Sequence, residues 1–277
     1  MGGGKGGADF DPKGKSDGEI MRFCHAFMLE LYRHIGSDTD IPAGDIGVGK
    51  REVGYLNGMY KKISNRTDSV LTGKGLYYGG SQLRPEATGY GLLYFVQGIL
   101  AHRGEQIAGK TVGVSGAGNV AQFAIEKALQ LGAVVVTASD STGFIHDPAG
   151  FTQKKLQLLQ SFKNDQQRTL ADYALQCEGV EFYPNERPWR IPMDIALPCA
   201  TQNELDADGA RLLLKNGITG VAEGANMPCT LQATELFQQD HHCWFAPGKA
   251  ANAGGVATSG LEMTQNSFRH GYATEVD

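Results

Sequence analysis

The chain has 277 residues, with 30 acidic against 25 basic side chains, a net charge of −5, and 41% hydrophobic against 20% charged residues. That balance excludes a nucleic-acid binder, which carries a basic excess, and a disordered chain, which lacks the apolar residues for a core. No apolar run reaches the ~18 residues of a membrane span and the N-terminus has no signal-like apolar segment, so a cytoplasmic protein without membrane contact is expected.

The first dozen residues, MGGGKGGADFDP, have the composition of a flexible linker. Ser16-Asp17-Gly18-Glu19 then reads as a capping box. Ile20, Phe23, Phe27, Leu31 and Ile35 follow at helical spacing, with Gly36 as the stop. The segment 41–49 is too rich in Gly and Pro for a regular element. A short helix over 51–63 and a glycine-rich loop near 72–80 come next. Arg84-Pro85-Glu86-Ala87-Thr88 opens a helix to about His102, with Pro in its first turn.

From Lys110 the pattern changes to strand (111–115), glycine turn, helix (120–131, stopped by Gly132) and apolar strand (133–138), one βαβ unit. Helical stretches are expected at 152–162, 169–176, 205–216 and 231–238, with short buried strands at 195–198 and 220–222. Strands alternating with helices define an α/β class with a mostly parallel sheet, a doubly wound (Rossmann) dinucleotide-binding domain. No internal repeat is visible.

The strongest local signal is Gly116-Ala117-Gly118-Asn119-Val120-Ala121, a G-x-G-x-x-A turn after a strand and before a helix. Gly116 makes the turn, Gly118 lets a pyrophosphate reach the backbone, and the helix N-terminus supplies N–H donors and a positive dipole end. Asp140 closes the next strand, where a carboxylate ordinarily bonds the ribose 2′-OH and favours NAD. Ser141 and Thr142 follow as small donors for a 2′-phosphate, and Lys154, Lys155, Lys163 and Arg168 carry charge downstream, unless they merely form a solvated helix face. On these residues alone NAD and NADP are equally well served. Lys5 and Asp45 would suit proton transfer if they met, because a desolvated lysine titrates closer to neutrality.

The five cysteines (Cys24, Cys177, Cys199, Cys229, Cys243) are odd in number and lack C-x-x-C spacing, so reduced thiols are expected and no disulfide framework. His241-His242-Cys243 has no second ligand pair nearby, and no metal is expected.

Five stretches taken together resemble the hexameric glutamate dehydrogenases within the Glu/Leu/Phe/Val dehydrogenase family, above all the bacterial NADP-type branch. They are residues 1–12, Pro42–Gly49 with its PAGDIGVG, Arg84–Gly91 with its RPEATGYG, Ala222–Pro228 with its AEGANMP, and 249–260 with its KAANAGGVATSG. The resemblance covers essentially the whole chain. It implies reversible oxidative deamination of L-glutamate by NADP to 2-oxoglutarate and ammonia, in a homohexamer. Hydride passes from Cα to the nicotinamide, and a water activated by Lys5 hydrolyses the iminium. Asp45 is implied as the proton-transferring acid. Ser259 would bind the side-chain carboxylate, with Val256 and the Asn252–Gly255 turn lining the pocket. Arg84 and Thr88 match positions at the nicotinamide end. Gly116, Gly118, Asn119 and Val120 match the cofactor turn, with Asn226 and Asn252 beside it. Asp140, Ser141 and Lys163 match the ribose-phosphate positions of the NADP branch, which tips the cofactor to NADP over NAD. The glycine-rich start then becomes a catalytic loop.

The family carries roughly a hundred residues before its GGGKGG motif, with two further substrate-clamping lysines, and helices beyond position 277. The expectation is therefore a truncated member: residues 1–80 the remainder of an α/β substrate domain, 81–250 the dinucleotide-binding domain, and 251–277 a return segment. Two alternatives stay open. One is a nucleotide-binding fragment with impaired catalysis, and the other an amino-acid dehydrogenase of different side-chain specificity.

Overall fold

The computed structural model describes residues 6–45, 47–68, 70–166 and 168–269. It divides into one unit of residues 1–84 and 258–277 and another of 85–257.

In the first unit, α1 (Asp17–Leu31) starts from the expected capping box: Ser16 accepts from the Glu19 N–H, and Glu19 accepts from the Ser16 N–H. The helix stops at Leu31, short of Gly36, and its buried stripe is Ile20, Cys24 and Met28. The expected stripe is thus rotated by one position. Phe23, expected on the apolar face of the helix, is half-buried and stacks on Phe10 with ring centroids 4.0 Å apart. The reason is that apolar residues cover most of this helix, so spacing alone cannot select the seam. α2 (Lys50–Ser64) ends on Asn65 in the left-handed region, with Lys61 and Lys62 in the last turn beside its dipole. Met28, Val53, Tyr60, Val70 and Leu71 form this unit's core. Among the described residues it contains no named strand, only an isolated bridge between Ala43 and Thr72.

In the second unit, α3 (Ala87–His102) begins two residues after Pro85, so that proline precedes the helix and is not in its first turn. The strands are β1 (Thr111–Val114), β2 (Val134–Asp140), β3 (Gly143–His146), β4 (Glu181–Pro184), β5 (Ile195–Leu197), β6 (Gly220–Ala222) and β7 (Trp244–Ala246). Their order is β4-β3-β2-β1-β5-β6-β7. β2-β1-β5-β6-β7 run parallel, whereas β3 pairs antiparallel with both β2 and β4. β3, β4 and β7 have no counterpart among the sequence expectations. Ser141-Thr142 turn β2 into β3, with Asp140 paired to Gly143. Gly143 takes φ +150°, and a Cβ there would lie 2.2 Å from the Tyr183 carbonyl oxygen.

The helices between strands are α4 (Asn119–Gln130), α5 (Gln153–Gln160) running into a π-helical turn over Ser161–Asp165, α6 (Leu170–Gln176), α7 (Ala207–Lys215) and α8 (Leu231–Gln239). α9 (Gly248–Ala251) and α10 (Gly254–Ser267) complete the order, the unit boundary falling within α10. Alternate residues of β5 separate two cores: Ile195 and Leu197 join a cluster with α3 to α6, while Ala196 joins one with α7 and α8. Burial on both faces is the mark of a doubly wound sheet.

Candidate dinucleotide and substrate sites

The sheet order reverses direction between β1 and β5, and in open α/β sheets ligands bind outside the strands' C-terminal ends at that point. The Gly116–Val120 turn lies there. Gly116 takes φ +86°, and a Cβ on it would meet the Cys199 carbonyl oxygen at 2.9 Å and Ala200 Cα at 3.1 Å. Its N–H donates to Ser139 Oγ (2.8 Å) and its carbonyl accepts from the Ser139 N–H (3.1 Å). Gly118, the N-cap of α4, differs: it is exposed, and a Cβ on it would meet nothing within 4 Å. The turn is packed behind and open in front, with the first N–H groups of a 12-residue helix facing the opening. A dinucleotide's pyrophosphate fits that arrangement, with the Gly118–Val120 backbone as its cradle.

Neighbouring segments converge on the same end. Asn119 Nδ2 donates to the Pro85 carbonyl (2.7 Å), just ahead of Thr88 in the first turn of α3. Gly254 rests against α3 so closely that a Cβ would lie 2.1 Å from the Ala87 carbonyl oxygen. Asn252 Nδ2 donates to the Ala225 carbonyl (3.0 Å) and Asn226 Oδ1 (2.9 Å). Beneath them the buried Glu223 accepts from the N–H groups of Cys229 (3.2 Å) and Gly248 (2.7 Å). Asn119 is thus tied to the segment that leads into Thr88, and Asn252 to Asn226. Gly255 is buried and Val256 is exposed on α10.

At the end of β2, Asp140 is occupied. Its Oδ1 accepts from the Thr142 N–H (2.8 Å) and hydroxyl (2.6 Å), and its Oδ2 accepts from Lys163 Nζ (2.9 Å) and the Leu170 N–H (3.2 Å). Burial opposes ionisation of this carboxyl, but the bonds from Thr142 and Lys163 outweigh it and hold its pKa below the ordinary value. Two expectations are corrected here: the Thr142 hydroxyl is turned to Asp140 and not to a phosphate, and Lys155 pairs with Asp147 (2.6 Å). Ser141 is exposed at the tip of the turn, and Lys163 lies in the π-helical turn.

In the first unit, Arg84 Nε donates to the buried Ser259 Oγ at 2.9 Å. The resemblance assigns Arg84 to the nicotinamide end, and this bond joins it to the substrate-side serine. Burial pulls the Arg84 pKa down against the attraction of Glu262, but a guanidinium remains charged throughout the working pH range. One helical turn beyond Ser259, Glu262 accepts from Lys74 Nζ (2.8 Å), the N–H groups of Gly73 (3.0 Å) and Lys74 (3.3 Å), and the Thr72 hydroxyl (3.3 Å). This ion pair is closed to solvent, with side-chain exposures of 2% and 0%. Asp45 is exposed in the loop before α2, and its carbonyl accepts from the Val48 N–H (2.9 Å). Lys5 lies outside the described residues.

Sequence reasoning did not find the buried carboxylates Glu204, Glu223 and Glu262. The polar run Thr201–Glu204 shortly after a buried strand was the available signal for the first, since buried charge needs local partners.

A glycine turn at a sheet reversal, open toward a helix N-terminus, defines a dinucleotide-binding α/β protein. The profile described as Glutamate/Leucine/Phenylalanine/Valine dehydrogenase matches residues 79–276, and that of the Glu/Leu/Phe/Val dehydrogenase dimerisation domain matches 1–62. The chain belongs to this family. It is 62% identical over 275 residues to the NADP-specific glutamate dehydrogenase of Escherichia coli strain K12, covering 99% of this chain and 61% of that protein. It is 63% identical to the enzyme of the same name from Haemophilus influenzae, covering 100% of this chain and 62% of that one. Relatives at 57% and 55% identity are named NAD(P)-specific and NAD-specific. The crystal structure of Plasmodium falciparum glutamate dehydrogenase superposes with a TM-score of 0.91 at 52% identity, over 96% of this chain and 57% of that one. The chain therefore spans about three-fifths of the length of the relatives it matches. Among the described residues no helix is long and apolar enough to cross a membrane.

Proposed function

We propose that the protein acts as a glutamate dehydrogenase, interconverting L-glutamate with 2-oxoglutarate and ammonia in the cytoplasm and using NADP in preference to NAD. The observation that carries the substrate assignment is the Arg84–Ser259 bond. The serine oxygen accepts from the guanidinium, which leaves the serine proton free to donate to a carboxylate. A carboxylate side chain would satisfy both groups, whereas the side chain of leucine, valine or phenylalanine would leave a half-buried cation uncompensated. Turnover assays with glutamate, leucine, valine and phenylalanine test this, with glutamate expected to dominate. Arg84→Leu should weaken glutamate by about 2–4 kcal/mol, roughly thirty- to a thousandfold, and comparable loss for an apolar substrate would remove the assignment.

NADP(H) supplies the hydride acceptor and donor when bound. The Gly118–Val120 backbone would hold its pyrophosphate, and Thr88, Asn226 and Asn252 would orient its nicotinamide end. Ser141 and Lys163 would meet the ribose phosphate. Lys5 and Asp45 are assigned water activation and proton transfer, and Gly255 and Val256 line the substrate. The five cysteines are all free and buried, which supports a reducing compartment. The dimerisation-domain match over 1–62 supports assembly, in the full-length family to a homohexamer.

Two substitutions test the cofactor side. Gly118→Val should fold normally, because its Cβ meets open space at a φ of −87° that valine tolerates. It should nevertheless abolish NADPH binding in a fluorescence titration by filling the approach to α4. Unchanged affinity would remove the cradle assignment. Lys163→Ala removes the cation and leaves the Asp140 carboxylate facing the phosphate. NADPH affinity should fall about ten- to a hundredfold, the worth of one charge-assisted bond. NADH should be little affected, and equal losses would sink the phosphate role.

A further inference from the structure

We propose that Glu204 is the positioning residue that sets the rear wall of the pyrophosphate cradle. The inference rests on the dinucleotide reading above. The loop that leaves β5 passes directly behind Gly116, and no strand ladder orders it. The N–H groups nearest Gly116 instead lead to one side chain. The Glu204 Oε1 accepts from the Ala200 N–H (2.9 Å). The Cys199 N–H donates to Ser115 Oγ (2.9 Å), and the Ser115 hydroxyl donates in turn to Glu204 Oε1 (2.7 Å). Two successive N–H groups thus end on Glu204, one directly and one through a hydroxyl.

Two facts connect this network to the ligand side. Ser115 immediately precedes Gly116, so the same hydroxyl ties the start of the cradle turn to the loop. Cys199 and Ala200 are also the residues that a Cβ on Gly116 would strike, so their backbone is the surface on which the turn rests. On the opposite side Ser139 holds the Gly116 peptide, but that serine is already ordered by the pairing of β2 with β3, where it lies opposite Phe144. On the loop side the Pro198 carbonyl accepts from the N–H groups of Gly224 and Ala225 and the Asn203 N–H donates to the Met227 carbonyl, so Glu204 holds the Cys199–Ala200 stretch between these anchors. This carboxyl is 8% exposed, its Oε2 has no partner, and burial raises its pKa despite the hydrogen bonds and the nearby Arg187 charge. An apolar residue would be the cheaper occupant if filling space were its only task. Displacing this wall moves the N–H groups of Gly118 to Val120, and a cradle of fixed donors loses affinity when its geometry shifts.

The test compares two ligands on wild type, Glu204→Ala, Glu204→Gln and Ser115→Ala. NADPH carries the pyrophosphate, whereas adenosine 2′-phosphate has the ribose-phosphate end without it. Glu204→Ala should weaken NADPH roughly ten- to a hundredfold, the scale of one or two lost buried hydrogen bonds, and adenosine 2′-phosphate less than about twofold. Glu204→Gln keeps an oxygen for the converging donors and should restore NADPH to within a few-fold of wild type. Ser115→Ala, which removes only the relay, should give an intermediate loss and keeps the test available if Glu204→Ala does not fold. Equal weakening of both ligands, unchanged NADPH affinity in Glu204→Ala, or a glutamine variant as weak as the alanine one would each overturn the inference. A wild-type chain that binds no NADPH while binding adenosine 2′-phosphate would overturn the cradle reading itself, and this inference with it.

Discussion

Lys5→Ala is expected to lower glutamate oxidation by about a hundred- to ten-thousandfold, the range that one general acid–base group contributes, while leaving NADPH affinity within about twofold. The two halves of this result have separate origins. The cradle belongs entirely to residues 85–257, so removing an amine at position 5 takes nothing from it. The chemical step needs a group that can hold and release a proton at neutral pH, which alanine cannot supply. Because the chain spans about 61% of the length of its Escherichia coli relative, the measurement is made on the chain as it stands and on the chain joined to that relative's remaining segments. Retention of more than about a tenth of the rate in an active form would remove Lys5 from the mechanism. Loss of NADPH binding together with rate would instead mark the substitution as disruptive and leave the proton-transfer role without support.

Glu262→Ala should destabilise the first unit by about 3–5 kcal/mol, the usual consequence of breaking a buried pair. The carboxylate is fully enclosed and receives a lysine amine, two backbone N–H groups and a hydroxyl from 72–74. Without it Lys74 loses its ion-pair partner while its amine still donates to the Leu71 carbonyl, and burial already pulls the lysine pKa down. The double variant Lys74→Met with Glu262→Gln removes both charges yet keeps acceptors for the backbone donors. It should recover at least half of the loss. Chemical denaturation of the whole chain gives the midpoints, and hydrogen exchange over 70–75 localises the change. A single variant within about 0.5 kcal/mol of wild type would show that the pair adds nothing.

Much of the second unit was legible because its signals are local. The glycine turn and the continuous apolar run of β2 depend on neighbours a few residues apart, and the observed boundaries of the expected elements fall within two or three positions of those expected. β3, β4 and β7 are only three or four residues long; β4 and β7 pair with distant strands, and β3, though it turns back on β2 within two residues, is too short a run to stand out as a strand. In the first unit the stripe of α1 was misplaced because Ile20, Phe23, Cys24, Phe27 and Met28 offer two seams, and only Val53, Tyr60 and Leu71 select one. The candidate site was legible where residues act through backbone conformation, as at Gly116 and Gly118. It was not legible where they act through long-range bonds. Arg84 and Ser259 are 175 positions apart, and Lys74 and Glu262 are 188 apart.

The hairpin at Asp140–Gly143 has a consequence for how cofactor preference can change over evolutionary time. In an all-parallel sheet the residues after β2 would open a crossover whose length is free to vary. Here the chain must reverse within Ser141 and Thr142, because Gly143 is committed to a backbone conformation that only glycine adopts readily and is wedged against the Tyr183 carbonyl. Insertions at this point would uncouple β3 from both of its neighbours. On the proposed ribose-phosphate role of this tip, a change of nicotinamide cofactor has exchange of side chains open to it, at 140, 141 and 163, and not remodelling of the loop. The tip evolves as a cassette of point substitutions on a rigid mount.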